Sequence, residues 1–243
     1  MTTPIIELEN ISFRYPGAYD AVLNNLKLKI MPGDRIGLMA PNGSGKTTLL
    51  HTIMGLCRPQ EGSVRIFGTP METEADFTGI RPRLGLLFQD SDDQLFCPTV
   101  LEDVAFGPLN LGESRSQARE TAIKTMASLG IEGLQDRITH RLSGGQKRLV
   151  ALAAVLAMKP EVLLLDEPCA AIDPPSREQL IGLMRQLADA GQTLLVSNHD
   201  WGVALELYDR VIVLDGRVLA DGPPQQVRHM LGSQLAPGGA AHE

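Results

Sequence analysis

Arg35-Ile36-Gly37-Leu38-Met39-Ala40-Pro41-Asn42-Gly43-Ser44-Gly45-Lys46-Thr47-Thr48 is the stretch that decides the fold of this chain. Its first five residues read as a short buried strand, and the apolar spacing from Thr47 to Gly55 is that of a helix. Strand, glycine loop and helix in this order make a phosphate loop. The glycines let backbone N–H groups turn inward toward phosphate oxygens, and the helix adds the positive end of its dipole. Asn42, Gly43, Ser44 and Gly45 form the cradle. Lys46 is expected to reach the β- and γ-phosphates, Thr47 to ligate Mg²⁺ through its hydroxyl, and Thr48 to support the α-phosphate side. The strict pattern begins with Gly where this chain has Ala40. That position closes the strand, where a methyl group is tolerated, so binding is expected to survive.

Leu142-Ser143-Gly144-Gly145-Gln146 opens a second helical pattern, Gly144 to Met158, and an apolar strand ending in Asp166-Glu167 follows. Asp166 stands where a metal-orienting carboxylate belongs and is expected to hold Mg²⁺ through water. Glu167 should point the other way, as general base or water-positioning group. A hydroxyl and bare N–H groups at a helix start suit a γ-phosphate, although Ser143 alone reads equally as a plain helix cap. Phosphates bound by this chain already have their cradle around Lys46, so the Ser143 site is assigned to a nucleotide held by a partner chain.

The rest of the chain alternates strands and helices. Ile6 to Phe13, Leu26 to Ile30, Val64 to Phe67 and Leu84 to Phe88 read as strands. Val100 to Phe106 and Ser116 to Leu129 are helical, with Pro108, Gly130 and Gly133 as punctuation. Ser176 to Ala190 is a helix, Thr193 to Ser197 a strand and Trp201 to Leu207 a short helix. Val211 to Leu214 and Arg217 to Ala220 form a hairpin turned at Asp215-Gly216. One short helical stretch follows Gly222, and Ala236 to Ala241 reads as loose. There are no repeats and only one phosphate loop.

Composition narrows the function. The 243 residues carry 22 basic and 29 acidic side chains for a net charge of -7, with no basic arm, which argues against a nucleic-acid partner. No apolar run approaches the ~20 residues of a membrane span, and the start has no apolar signal core, so the chain is expected to be cytosolic. Cys57, Cys97 and Cys169 lie far apart, as reduced thiols do. His51, His140, His199, His229 and His242 have no ligand spacing, so no bound transition metal is expected.

On its phosphate loop, its Leu142–Gln146 run and its Asp166-Glu167 strand, the chain resembles the ATPase subunits of ATP-binding cassette (ABC) transporters over nearly its whole length. The resemblance implies an α/β P-loop NTPase fold, an ABC nucleotide-binding domain with an N-terminal antiparallel β subdomain and an inserted helical subdomain. Residues 1–89 and 160–221 would be the core, 90–159 the helical subdomain and 222–243 a short tail of one domain spanning 1–243. It also implies a dimer in which Ser143, Gly144, Gly145, Gln146 and Asp173 act across the interface on the other copy's ATP. Tyr15 matches the aromatic that stacks on adenine. Gln89 matches the glutamine that contacts Mg²⁺ and water, and His199 matches the histidine at the γ-phosphate. Cys169, Ala170 and Asn198 depart from the common Thr, Ser and Thr, but no catalytic group is missing, and an active ATPase is expected.

Phe88-Gln89-Asp90-Ser91-Asp92-Asp93-Gln94-Leu95-Phe96 and Thr99 to Pro108 are similar to energy-coupling-factor importers, above all their cobalt and nickel ATPases. In those proteins this region is the groove for coupling helices of a transmembrane subunit. The resemblance implies a peripheral subunit on the cytoplasmic face of the cell membrane. Its partners would be a second ATPase copy (identical or a close paralogue), a transmembrane coupling subunit and a substrate-specific membrane subunit that selects the metal. Another ABC importer or exporter, a vitamin system among them, remains an alternative. A soluble mechanoenzyme fits less well, since those carry paired cassettes or long coiled coils.

Overall fold

The computed structural model describes residues 3–235, and among these the strands form two sheets. The smaller is antiparallel, in the order β2 (Leu23–Ile30), β1 (Ile6–Phe13), β4 (Glu61–Ile66) and β5 (Thr69–Pro70). The larger has β3 (Arg35–Met39) near its centre. It runs β10 (Arg217–Gly222), β9 (Arg210–Asp215), β3, β8 (Thr193–Asn198), β7 (Val162–Leu165) and β6 (Leu84–Leu87). Every pairing in the larger sheet is parallel except β9 with β10, where the expected hairpin turns at Gly216.

Strands β6, β7 and β8 are buried throughout, as continuous apolar runs covered on both faces must be. Alternate residues of one strand therefore enter different cores. Leu163 and Leu165 join the core built with the helices, whereas Val162 and Leu164 join the core shared with the antiparallel sheet. Helix α1 (Lys46–Ile53) contributes Leu49, Leu50 and Ile53 to this second core. The first core receives α3 (Val100–Asn110), α4 (Arg115–Ser128), α5 (Gly144–Leu156) and α6 (Pro174–Asp189).

Parallel strands send their carboxyl ends to one edge, which is where open α/β sheets bind ligands. Met39 leads into the phosphate loop, Leu165 into Asp166-Glu167, Asn198 into His199 and Leu87 toward Gln89. The order β3-β8-β7-β6 sets these four ends side by side.

Three local features differ from the sequence reading. Pro108 lies inside α3 on its buried side instead of ending the helix, which continues to Asn110. A short helix, α2 (Glu74–Ile80), is capped by reciprocal Thr73 and Asp76 hydrogen bonds and buries only Phe77, so it has no apolar stripe to reveal it. Phe67 leaves the strand at φ +50, in a turn with Gly68. Helices α7 (Trp201–Leu207) and α8 (Pro224–Leu235) complete the fold. The reading of Ala236 to Ala241 as loose lies outside the described residues. Among the described residues no helix is long and apolar enough to cross a membrane.

Candidate nucleotide site

Gly45 adopts φ +97 where the loop meets α1, and a Cβ there would stand 3.0 Å from the Val22 carbonyl oxygen, so the turn needs glycine. The next residue, Lys46, is 6% exposed. Its Nζ donates to the carbonyls of Ala40 (2.9 Å) and Pro41 (3.1 Å) and lies 3.1 Å from Glu167 Oε1. Thr47 Oγ1 donates to Asp166 Oδ2 at 2.6 Å, joining residues 119 positions apart. A cleft of about 500 Å³ is lined by Tyr15, Asn42, Gly43, Gly45, Lys46, Thr47, Thr48, Gln89 and Glu167.

The two strand-end acids are held differently. Asp166 is 2% exposed, and its second carboxylate oxygen accepts from Ser197 Oγ at 2.6 Å. The same Ser197 oxygen accepts from the Glu167 N–H at 2.7 Å. Glu167 takes φ +45, a conformation that costs a non-glycine residue about 1–3 kcal/mol and is held by its surroundings. Ser197 escaped the sequence reading. Its one signal is a hydroxyl that follows the apolar run Leu194–Val196 in a wholly buried strand.

Tyr15 donates to or accepts from Thr48 Oγ1 at 3.1 Å, and its ring meets Phe13 edge-on at 4.9 Å. Tyr15 as a whole is still 42% exposed, which leaves room for a base against it. Ser44 is buried with its Oγ unpartnered, as expected of a hydroxyl waiting on a phosphate oxygen. Thr47, Asp166 and the cleft-lining Gln89 supply only oxygen donors and one amide, a set that fits Mg²⁺. Among the described residues no group of three or more His, Cys, Asp or Glu can hold a metal ion, so such an ion would rely on phosphate oxygens as well.

The remaining expected residues form a second assembly. Ser143 caps α5 with a reciprocal bond to Gln146: the Gln146 N–H donates to Ser143 Oγ (3.3 Å) and the Ser143 N–H to Gln146 Oε1 (3.1 Å). Asp173 caps α6, accepting from the Ser176 N–H and hydroxyl, and these bonds hold its carboxyl below the usual range. Gly145 joins the two caps, since a Cβ on it would lie 2.3 Å from Ser176 Oγ and 2.8 Å from Asp173 Oδ2. Gly144 faces open space. None of Ser143, Gly144, Gly145, Gln146 and Asp173 lines the Lys46 cleft. His199 is exposed after β8 and does not line it either. Its N–H and that of Asp200 donate to Asn198 Oδ1 at 2.7 and 2.9 Å, a turn the sequence reading did not foresee.

A phosphate loop, a threonine–aspartate pair and a glutamate converging at the carboxyl edge of a parallel sheet define a P-loop nucleotide hydrolase. The family profile described as "ABC transporter" matches residues 23–170, and the chain belongs to that family and is an ATPase. It is 49% identical over 222 residues to the cobalt import ATP-binding protein CbiO of Rhodobacter capsulatus, covering 90% of this chain and 79% of that one. It is 41% identical over 225 residues to the energy-coupling factor transporter ATP-binding protein EcfA of Methanocaldococcus jannaschii, covering 92% and 80%. Its fold matches the dimeric cassette MJ0796, in a post-hydrolysis state bound to ADP and Pi, with a TM-score of 0.83 and 30% identity, covering 90% and 98%.

Proposed function

We propose that this chain is the ATP-hydrolysing subunit of an energy-coupling-factor importer that takes up cobalt or nickel ions through membrane partners. One observation carries the transport part. Phe88, the residue before Gln89, helps line an apolar groove of about 570 Å³ whose walls include Leu56, Phe96, Phe106, Leu111 and Met158. Phe96 and Phe106 meet edge-to-face at 4.7 Å and are both exposed, Phe96 the more so. Such a groove suits an apolar helix of a membrane subunit. The similarity to a cobalt-import ATPase supports the metal.

In this reading two copies bind two ATP molecules. The phosphate loop and Lys46 grip the phosphates, Tyr15 packs against the base, and Ser143, Gly144, Gly145 and Gln146 of each copy cap the γ-phosphate of the other, with Asp173 at the crossing. Thr47, Asp166 and Gln89 would hold Mg²⁺, which when bound supplies positive charge for the phosphate oxygens. Glu167 takes a proton from the attacking water, and His199 swings toward the γ-phosphate. Catalysis is mainly positioning and charge stabilisation. Closure of the dimer moves the groove, and thereby the membrane partners, from the cytoplasmic face.

The test is purification of the tagged chain from detergent-solubilised native membranes, followed by metal-uptake assays on the same cells. Recovery of a small transmembrane coupling protein with a metal-selective subunit, and uptake lost in Glu167→Gln, is the expected result. Recovery with a vitamin-binding membrane subunit would move the reading to a vitamin importer, which the likeness to a general energy-coupling ATPase favours as the second choice. Soluble partners alone would overturn transport.

A further inference from the structure

Arg148 lies in the second turn of α5 and is 5% exposed, yet among the described residues it forms no direct ion pair and feels the charge of Asp90 only at longer range. Its two terminal nitrogens instead donate to consecutive main-chain carbonyls, Nη1 to Phe88 and Nη2 to Gln89, each at 2.6 Å. Its Nε has no partner. The neighbouring Lys147 pairs with Asp92, so two successive cations of one helix grip the two ends of the segment 88–92. Burying a guanidinium against carbonyls is an inefficient way to hold a core together, because its desolvation is only partly offset and an apolar side chain of the same volume would pack as well. What the planar fork does better is fix two carbonyl positions at once. Those carbonyls flank the Cα of Gln89, a residue that lines the Lys46 cleft.

We propose that Arg148 is a positioning residue that ties Gln89 to helix α5, so that engagement of the Ser143 end of α5 with the partner's ATP resets Gln89 in this chain's own site. The inference rests on the roles given above to Ser143 and Gln89. Ser143 caps the helix five residues before Arg148, within a span too short to bend, so a shift of the cap carries the fork with it. The two nucleotide sites of a dimer are thereby linked through one guanidinium in each chain.

The experiment is a double-mutant cycle on the purified full chain, with ATP turnover measured against ATP and against Mg²⁺. Arg148→Met should lower kcat about tenfold with the ATP KM within about twofold, and should raise the Mg²⁺ concentration needed for half activity. Arg148→Lys, which can still donate to one carbonyl, should fall in between. The variant Gln89→Ala/Arg148→Met should turn over no more slowly than Gln89→Ala alone. Losses that multiply in the double variant would overturn the proposal and leave the role of Gln89 standing. Wild-type turnover in Gln89→Ala would overturn both. If Arg148→Met does not fold, Arg148→Lys decides: an unchanged melting temperature with a raised Mg²⁺ requirement supports positioning, and unchanged turnover overturns it.

Discussion

Lys46 Nζ and Glu167 Oε1 stand 3.1 Å apart, with side chains 6% and 10% exposed, so the phosphate-loop cation and the carboxylate given the role of base form one nearly buried ion pair. If Lys46 takes the γ-phosphate as proposed, ATP and Glu167 compete for the same ammonium. Glu167→Gln removes the competing charge and should bind ATP a few-fold more tightly while turnover falls by about two orders of magnitude or more. Titration with a fluorescent ATP analogue beside a phosphate-release assay separates the two effects. Weaker binding in the variant would mean that the pair pre-orders the site instead of competing for it. Lys46→Ala leaves Glu167 buried without a partner and should cost about 3–5 kcal/mol of stability as well as ATP affinity.

Gly144 and Gly145 are adjacent, and the structure separates their roles. A Cβ on Gly145 would strike Ser176 and Asp173 within the chain, so Gly145→Ala should shift the start of α6 and lower the melting temperature. A Cβ on Gly144 would have no atom of the described residues within 4 Å. Gly144→Ala should therefore fold and bind ATP as the wild type does and yet lose most hydrolysis, because the added methyl would obstruct the γ-phosphate proposed to bind there from the partner. Thermal unfolding, ATP binding and turnover on both variants test this. Normal turnover in Gly144→Ala would remove the helix start from the site across the dimer.

Asp103 organises the loop that forms one wall of the groove. It is 4% exposed. One carboxylate oxygen accepts from the N–H groups of Phe96 (3.1 Å) and Cys97 (2.9 Å), and the other accepts from Thr139 Oγ1 (2.9 Å). Burial and then the Asp103 charge push the Cys97 thiol from 9.0 up to about 11. A raised thiol pKa means about 100-fold less thiolate at pH 8, partly offset by the greater nucleophilicity of that thiolate, so alkylation of Cys97 should be about tenfold slower than that of an unperturbed thiol. Site-resolved iodoacetamide labelling between pH 7 and 10 reads this. Asp103→Asn removes the charge and should speed labelling of Cys97. Fast labelling of the wild type at pH 8 would show that the loop is open.

The motif residues were legible because each is tied to a local pattern. Lys46 and Thr47 follow a strand and a glycine loop, and Asp166 ends an apolar run, so their convergence could be read before any contact was known. Partners that depend on sheet order could not be read in this way. Ser197 reaches Asp166 only because β8 lies beside β7, and the spacing of 31 residues contains no hint of it. Arg148 reads in the sequence only as part of the helical run Lys147 to Met158, where an arginine ordinarily faces water, and nothing local shows that it is buried against Phe88 and Gln89. Pro108 points away from helix until its burial in α3 overrides it, whereas α2 has a Thr73–Asp76 cap but only one buried apolar residue, so no apolar stripe marks it.

Ser197 offers the sharpest test of how the two acids are set. Its hydroxyl donates to Asp166 Oδ1 and accepts from the Glu167 N–H, so one oxygen orients the Thr47-linked carboxylate and anchors the strained backbone of Glu167 at φ +45. Ser197→Ala leaves a buried acceptor and a buried donor without partners and should cost about 1–3 kcal/mol of stability. It should also lower kcat by roughly 10- to 100-fold, since Glu167 can relax out of its conformation. ATP affinity should hold within about threefold, because the phosphate loop is untouched. Ser197→Thr keeps the hydroxyl and should recover most of the turnover if the buried site admits the extra methyl. Stability loss without any change in kcat would confine Ser197 to packing and leave the orientation of Glu167 to Lys46 alone.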